Sequence, residues 1–151
     1  MTGGARHDLP DLAAMAAFGA RIAAQLRPGD VAALEGELGS GKTTLARAII
    51  AALGYPREVP SPTFTIIETY DAPPLRLPIV HADFYRLKSP YEVAEIGLDD
   101  YREGAALIAE WPDHAGGFAH EAACLSIRLE TADQGRIATV KSGADWLGRM
   151  P

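Results

Sequence analysis

A three-layer α/β/α architecture around a mixed sheet is predicted by three features of the sequence. Val31–Glu35 reads as a short buried strand that runs into a glycine-rich loop and then a strongly helical stretch, Thr44 to Leu53. Ala105–Glu110 is a second buried strand, of the continuous apolar kind that lies between helical layers. Cys124–Glu130 and Ile137–Lys141 alternate apolar and polar residues around a Thr131–Arg136 turn, which predicts a C-terminal antiparallel hairpin. The 151 residues fit one domain, residues 1–151. A chain of that length buries roughly 70% of the surface its unfolded form exposes.

Taken in order, Leu12, Met15, Gly19, Ile22, Ala23 and Leu26 fall on one helical face, with Asp8 or Asp11 near the start to suit the positive end of the helix dipole. Arg27–Asp30 is a turn. The helix after the glycine-rich loop stops at Gly54, a residue suited to the left-handed conformation. Pro56–Pro62 holds three prolines and reads as a loop, and Thr63–Tyr70 is rich in β-branched and aromatic residues and reads as a strand. Asp71–Pro74 is a turn and Leu77–Asp83 a further strand. Ser89, Pro90 and Glu92 combine an N-cap serine, a proline at the first helical position and the glutamate of a capping box, predicting a short helix to Ile96 that Gly97 ends.

Composition narrows the function. With 48% hydrophobic and 23% charged residues the chain has the balance of a soluble globular protein. Cys124 is its single cysteine, so an intrachain disulfide and a cysteine-rich zinc site are both excluded, and a reducing, cytoplasmic setting is expected. No apolar run approaches the roughly 20 residues that span a bilayer, so no membrane role is expected. Asp8 and Asp11 stand where a signal peptide would be basic. A net charge of -6 repels nucleic-acid backbones, and no basic, aromatic-interleaved run offers a local footprint, so direct gripping of nucleic acid is not expected.

Gly36-Glu37-Leu38-Gly39-Ser40-Gly41-Lys42-Thr43 matches the G-x-x-x-x-G-K-[ST] pattern in full, between a predicted strand and a predicted helix. A triphosphate needs many donors at close range. Glycines let successive backbone N–H groups converge on it, and the helix that follows presents its positive end. Lys42 is expected to reach the β- and γ-phosphates and Thr43 to ligate magnesium, which makes the predicted fold P-loop NTPase-like. Magnesium on a triphosphate also takes one or two carboxylates. Asp83 and Glu110 both end apolar runs, and the cleaner run favours Glu110 for the metal. Trp111 would then stand near the phosphates. His81 reads as a core or edge histidine rather than a ligand. Ser61-Pro62-Thr63-Phe64-Thr65 carries hydroxyl donors on a proline-stiffened loop, a form suited to a switch segment.

Five blocks, residues 36–45, 61–65, 81–87 (His-Ala-Asp-Phe-Tyr-Arg-Leu), 95–101 (Glu-Ile-Gly-Leu-Asp-Asp-Tyr) and 110–112 (Glu-Trp-Pro), together resemble the bacterial TsaE family, also called YjeE-type ATPases, over about Leu9 to Val140. The resemblance implies a P-loop ATPase, weak by itself and dependent on partners, that uses ATP and Mg2+ in forming N6-threonylcarbamoyladenosine at position 37 of ANN-decoding tRNAs. It implies TsaD and TsaB as protein partners, with tRNA engaged only indirectly. By matching motif it implies nucleotide contacts from Glu37, Leu38, Gly39, Ser40, Gly41, Lys42, Thr43, Thr44 and Trp111, and more weakly from Asp11 and Arg136. Thr43 and Glu110 are implied as metal ligands, and Lys42, Asp83 and Glu110 as the catalytic set. The chain departs from the family at Ala82, where an aromatic residue is common.

Two other functions fit a P-loop. A small-molecule kinase adds a mobile arginine-bearing lid, yet Arg76, Arg86 and Arg102 are scattered here. A non-catalytic nucleotide sensor would need no metal-assisted chemistry at Glu110.

Overall fold

The structure, a computed structural model, describes residues 3–151. Among these residues seven strands share one sheet: β1 (Gly3–Leu9), β2 (Val31–Glu35), β3 (Ile67–Tyr70), β4 (Ile79–Asp83), β5 (Ala106–Glu110), β6 (Cys124–Thr131) and β7 (Arg136–Ser142). Their spatial order is β1-β7-β6-β2-β5-β4-β3. The inner pairs β4·β5, β2·β5 and β2·β6 are parallel, and the outer pairs are antiparallel. The predicted mixed sheet and C-terminal hairpin are therefore present.

Alternation along the central strands sorts their side chains between two layers. Ala32, Leu34, Ala106 and Ile108 join α1 (Leu12–Gln25) and α2 (Lys42–Ala52) in one core, whereas Val31, Ala33, Leu107 and Ala109 face a second, thinner layer. That layer includes α3 (Glu92–Ile96) and α4 (Leu98–Arg102), five residues each. The long helices approach closely at Gly19, where a side-chain carbon would stand 2.6 Å from the Ala48 methyl. The last carbonyls of α1 are met from a distance in sequence: Arg76 donates to the carbonyls of Ala23 and Leu26.

Several sequence expectations need correction. β1 was not foreseen, because Gly3-Gly4-Ala5-Arg6-His7-Asp8-Leu9 carries little strand propensity. Pairing with β7 from Gly3↔Ser142 to Leu9↔Arg136 supplies its order instead. The predicted strand Thr63–Tyr70 begins only at Ile67. Residues 62–65 form a turn in which the Ile66 N–H donates to the Pro62 carbonyl, and Ile66 sits at φ 69°, outside the extended region. The strand expected from Leu77 starts at Ile79, and Ala105 precedes β5. The helix expected from Thr44 already includes Lys42 and Thr43. α3 starts at Glu92 because residues 89–91 form the preceding turn. The Ser89 hydroxyl accepts from the Tyr91 N–H and the Glu92 carboxylate from the Lys88 N–H, a capping box displaced by one residue. Among the described residues no helix is long and apolar enough to cross a membrane.

Candidate functional site

Parallel strands bring their carboxyl ends to one edge, and this fold places β2, β4 and β5 side by side with Asp83 directly opposite Glu110. The loop leaving β2 meets α2 at the same edge. Gly41 precedes α2 at φ 104°, and Gly36 at φ 142° lies so close to the Leu129 carbonyl that a side-chain carbon would stand 2.6 Å from it. Among the described residues, no backbone carbonyl or side chain accepts from the N–H groups of Gly39, Gly41, Lys42 and Thr43, so they form a set of free donors at the helix start.

Lys42 is 5% exposed. Its ammonium donates to the carbonyls of Gly36 at 2.6 Å and Glu37 at 2.9 Å, and stands 4.2 Å from the centre of the Trp111 ring. Burial pushes its pKa down, and the Glu110 and Asp83 carboxylates pull it back up. The Thr43 hydroxyl donates to Glu110 Oε1 at 2.6 Å, across 67 residues of sequence. The other Glu110 oxygen, Oε2, lies 2.7 Å from His81 Nε2. Asp83 accepts the Tyr85 N–H on Oδ1 at 2.9 Å and the Thr63 hydroxyl on Oδ2 at 3.2 Å, and Thr63 in turn contacts the Ser61 hydroxyl at 2.7 Å. The Ser61–Thr65 segment is thus tied to β4 through one carboxylate.

A cavity of about 330 Å³ opens over this cluster, lined by Leu38, Gly39, Gly41, Lys42, Thr43 and Thr44 from the loop and helix. Thr63, Asp83, Tyr85, Glu110, Trp111 and Arg136 complete its wall. A second recess of about 200 Å³ shares Gly41, Thr44 and Arg136 with it and adds the apolar side chains of Leu9, Leu12 and Met15 beside Asp11. Most residues of the expected site therefore converge here. Glu37 and Ser40 do not line either space: Glu37 is exposed and offers its carbonyl to Lys42, while Ser40 is buried beneath the loop. Asp11 caps α1, accepting from the Ala14 N–H at 2.8 Å, and Arg136 donates to the carbonyls of Ser40 and Gly39.

Oxygen atoms from Thr43 and Glu110, 2.6 Å apart, form a donor set suited to a hard cation. Among the described residues no cluster of three or more His, Cys, Asp or Glu could hold a metal by protein ligands alone. Magnesium fits the pair, because on a polyphosphate it needs few protein ligands. The sequence reading missed His81 as a part of this site. Its signal was spacing: two residues before Asp83 on a strand, a side chain shares the face on which that carboxylate lies. Trp111 was placed near the phosphates, but its φ of 54° was not foreseeable; that turn ends β5 and aims the indole back over Lys42. Ala82 is fully buried in the second core, which also holds Phe84 and Phe118.

A family model described as "Threonylcarbamoyl adenosine biosynthesis protein TsaE" matches residues 9–138. A Streptomyces coelicolor protein named tRNA threonylcarbamoyladenosine biosynthesis protein TsaE is 37% identical over 145 residues, covering 87% of this chain and 93% of the relative. A Bacillus subtilis protein of the same name is 46% identical over 90 residues, covering 59% of this chain and 54% of the relative. One from Rickettsia bellii is 40% identical over 97 residues, covering 64% of this chain and 66% of the relative. The chain thus spans about half to two thirds of the length of the Bacillus and Rickettsia relatives. The crystal structure of YdiB from Bacillus subtilis matches with a TM-score of 0.74 at 30% identity, covering 99% of this chain and 91% of that one.

Proposed function

The chain belongs to the TsaE family, and on that premise we propose that it is an ATP-binding and ATP-hydrolysing subunit for N6-threonylcarbamoyladenosine formation at position 37 of ANN-decoding tRNAs. Residues 1–151 act as one ATPase domain in the cytoplasm, working on a complex of TsaD and TsaB. The observation that carries the reading is the meeting of Thr43 with Glu110 at 2.6 Å, beside Lys42, at the mouth of a loop with free N–H donors.

In this reading the free amides of Gly39, Gly41, Lys42 and Thr43 receive the phosphates, and Lys42 exchanges the Gly36 and Glu37 carbonyls for phosphate oxygens. Thr43 and Glu110 would hold magnesium, whose charge would offset the negative charge of the transferring phosphoryl group. Asp83 orients the attacking water and, through Thr63, lets the Ser61–Thr65 segment respond to the γ-phosphate. The base occupies the apolar recess beside Leu9, Leu12 and Met15, with Asp11 and Arg136 at its rim. Arg136 is engaged with loop carbonyls and holds the loop rather than acting as a finger on the γ-phosphate, so slow turnover without partners is expected. A chain of net charge -6 suits a subunit that acts on the tRNA-holding enzyme and not on tRNA.

The test is ATP turnover measured alone and with the two partner subunits. Partners are expected to raise the rate, and Glu110→Ala to lower it about 100-fold. A rate indifferent to both partners and substitution would overturn the proposal.

A further inference from the structure

We propose that His81 is a positioning residue for Glu110: by donating from Nε2 to Oε2 it fixes the carboxylate so that Oε1 faces Thr43 and the cation they share. The inference rests on the reading of Thr43 and Glu110 as the magnesium site. His81 is 0% exposed on β4, and Glu110 is 2% exposed on the adjacent β5, so the contact between them is shielded from bulk water. Their 2.7 Å contact is the one hydrogen bond of the ring, since Nδ1 is buried and has no partner among the described residues. A buried N–H without an acceptor costs more than a bare ring nitrogen, which assigns the ring proton to Nε2 and makes His81 the donor.

The consequence concerns which contact persists. With each oxygen of Glu110 held by a different element, β4 through His81 and α2 through Thr43, the plane of the carboxylate is determined from two sides. Were a cation held by Oε1 and the Thr43 hydroxyl, the contact between those two groups would no longer fix the carboxylate. The His81 bond remains and keeps the rotamer. Packing alone gives no reason for this ring, because an aliphatic side chain would fill a core position without leaving Nδ1 unpaired. Outer contacts of this kind commonly change metal affinity by about 10- to 100-fold.

The experiment titrates magnesium into the full chain with a fluorescent ATP analogue and follows binding of the analogue rather than turnover. For His81→Ala, the magnesium concentration at half-saturation is expected to rise about ten-fold, with magnesium-free binding unchanged. His81→Gln, whose amide N–H can reach the same oxygen, is expected to return the requirement to within about three-fold of the native protein. An unchanged requirement in His81→Ala, or equal impairment of both variants, would overturn the inference. Glu110→Gln separates the two levels of argument: if it too leaves the requirement unchanged, the magnesium reading fails, whereas a shift there without one in His81→Ala defeats the role of His81 alone. Should His81→Ala not fold, nitrogen NMR of the native histidine rings, assigned by the signal lost in His81→Gln, still decides. A proton on Nε2 supports the inference and its absence there overturns it.

Discussion

The two ends of the central strands both hold buried charge, and they treat it in opposite ways. At the end where β2 begins, Asp30 is 3% and Arg149 7% exposed, and they form a two-armed ion pair at 2.8 and 3.0 Å. All three guanidinium nitrogens of Arg149 donate there: Nε also bonds the Asp145 carbonyl and Nη1 the Gln25 carbonyl, while Asp30 accepts from the Arg27 N–H, and Trp146 nearby donates to the Ala123 carbonyl. At the end where β2 stops, Lys42 and Asp83 form no ion pair among the described residues, and Glu110 is held by a hydroxyl and an imidazole. Closed pairing makes the first cluster a structural clasp. The second leaves Lys42 and Asp83 buried without an ion-pair partner among the described residues, at a cost in folding stability.

Three measurements break or sharpen that comparison. The largest effect is expected from Asp30→Ala, which leaves the Arg149 guanidinium buried without its partner and should destabilise the fold by about 3 to 5 kcal/mol. Urea unfolding reads this, and nucleotide affinity of the folded fraction should not change. A loss below about 1 kcal/mol would place the pair among weak ion pairs and end the contrast. Lys42→Ala should do the reverse, lowering ATP turnover about 100-fold while leaving the urea midpoint nearly in place, because the ammonium is buried without a counter-ion. A loss of stability matching that of Asp30→Ala would show that Lys42 is itself a clasp.

The smallest effect concerns pH at the β2-start end, where Cys124 is buried. Burial pushes its thiol from 9.0 up to about 11, against a smaller opposing pull from the Ser126 hydroxyl. The unfolded thiol ionises first, so the unfolded state binds fewer protons as pH rises and stability must fall. The stabilisation is complete below about pH 9 and is lost between the unfolded value of 9.0 and the folded value of about 11. Denaturant midpoints measured across that window should decline, and Cys124→Ala should flatten the part between pH 9 and 10. An equal decline in the variant would assign the effect elsewhere, for example to Tyr70, whose phenol burial pushes up to about 12.

Legibility in the sequence followed the range of the interactions. β2, the loop from Gly36 to Thr43, α2, β5 and the β6–β7 hairpin were readable because neighbouring residues decide them: turn glycines, apolar alternation and helical spacing act over a few positions. β1 and the start of β3 were not. Strand propensity is weak at Gly3–Leu9 and strong at Thr63–Ile66, and in each case it was overridden, by pairing with β7 in the first and by the turn at Ile66 in the second. For the site, Lys42 and Thr43 came from a local motif and Glu110 from the end of an apolar run. His81 looked like an ordinary core residue, because its spacing from Asp83 gives the face it shares but not Glu110, the partner that stands across the strand.

By itself, then, the sequence determined the glycine-rich loop from Gly36 to Thr43, since turn glycines and a helix start are decided by neighbouring residues without help from remote ones. The tertiary structure alone decided what completes that loop. Strand order puts Asp83 level with Glu110, the crossing from β2 to β5 brings Glu110 to Thr43 over 67 positions, and the turn after β5 lays Trp111 on Lys42. Contacts at such separations depend on which strands become neighbours, and that is settled by how the whole sheet packs beneath its helices.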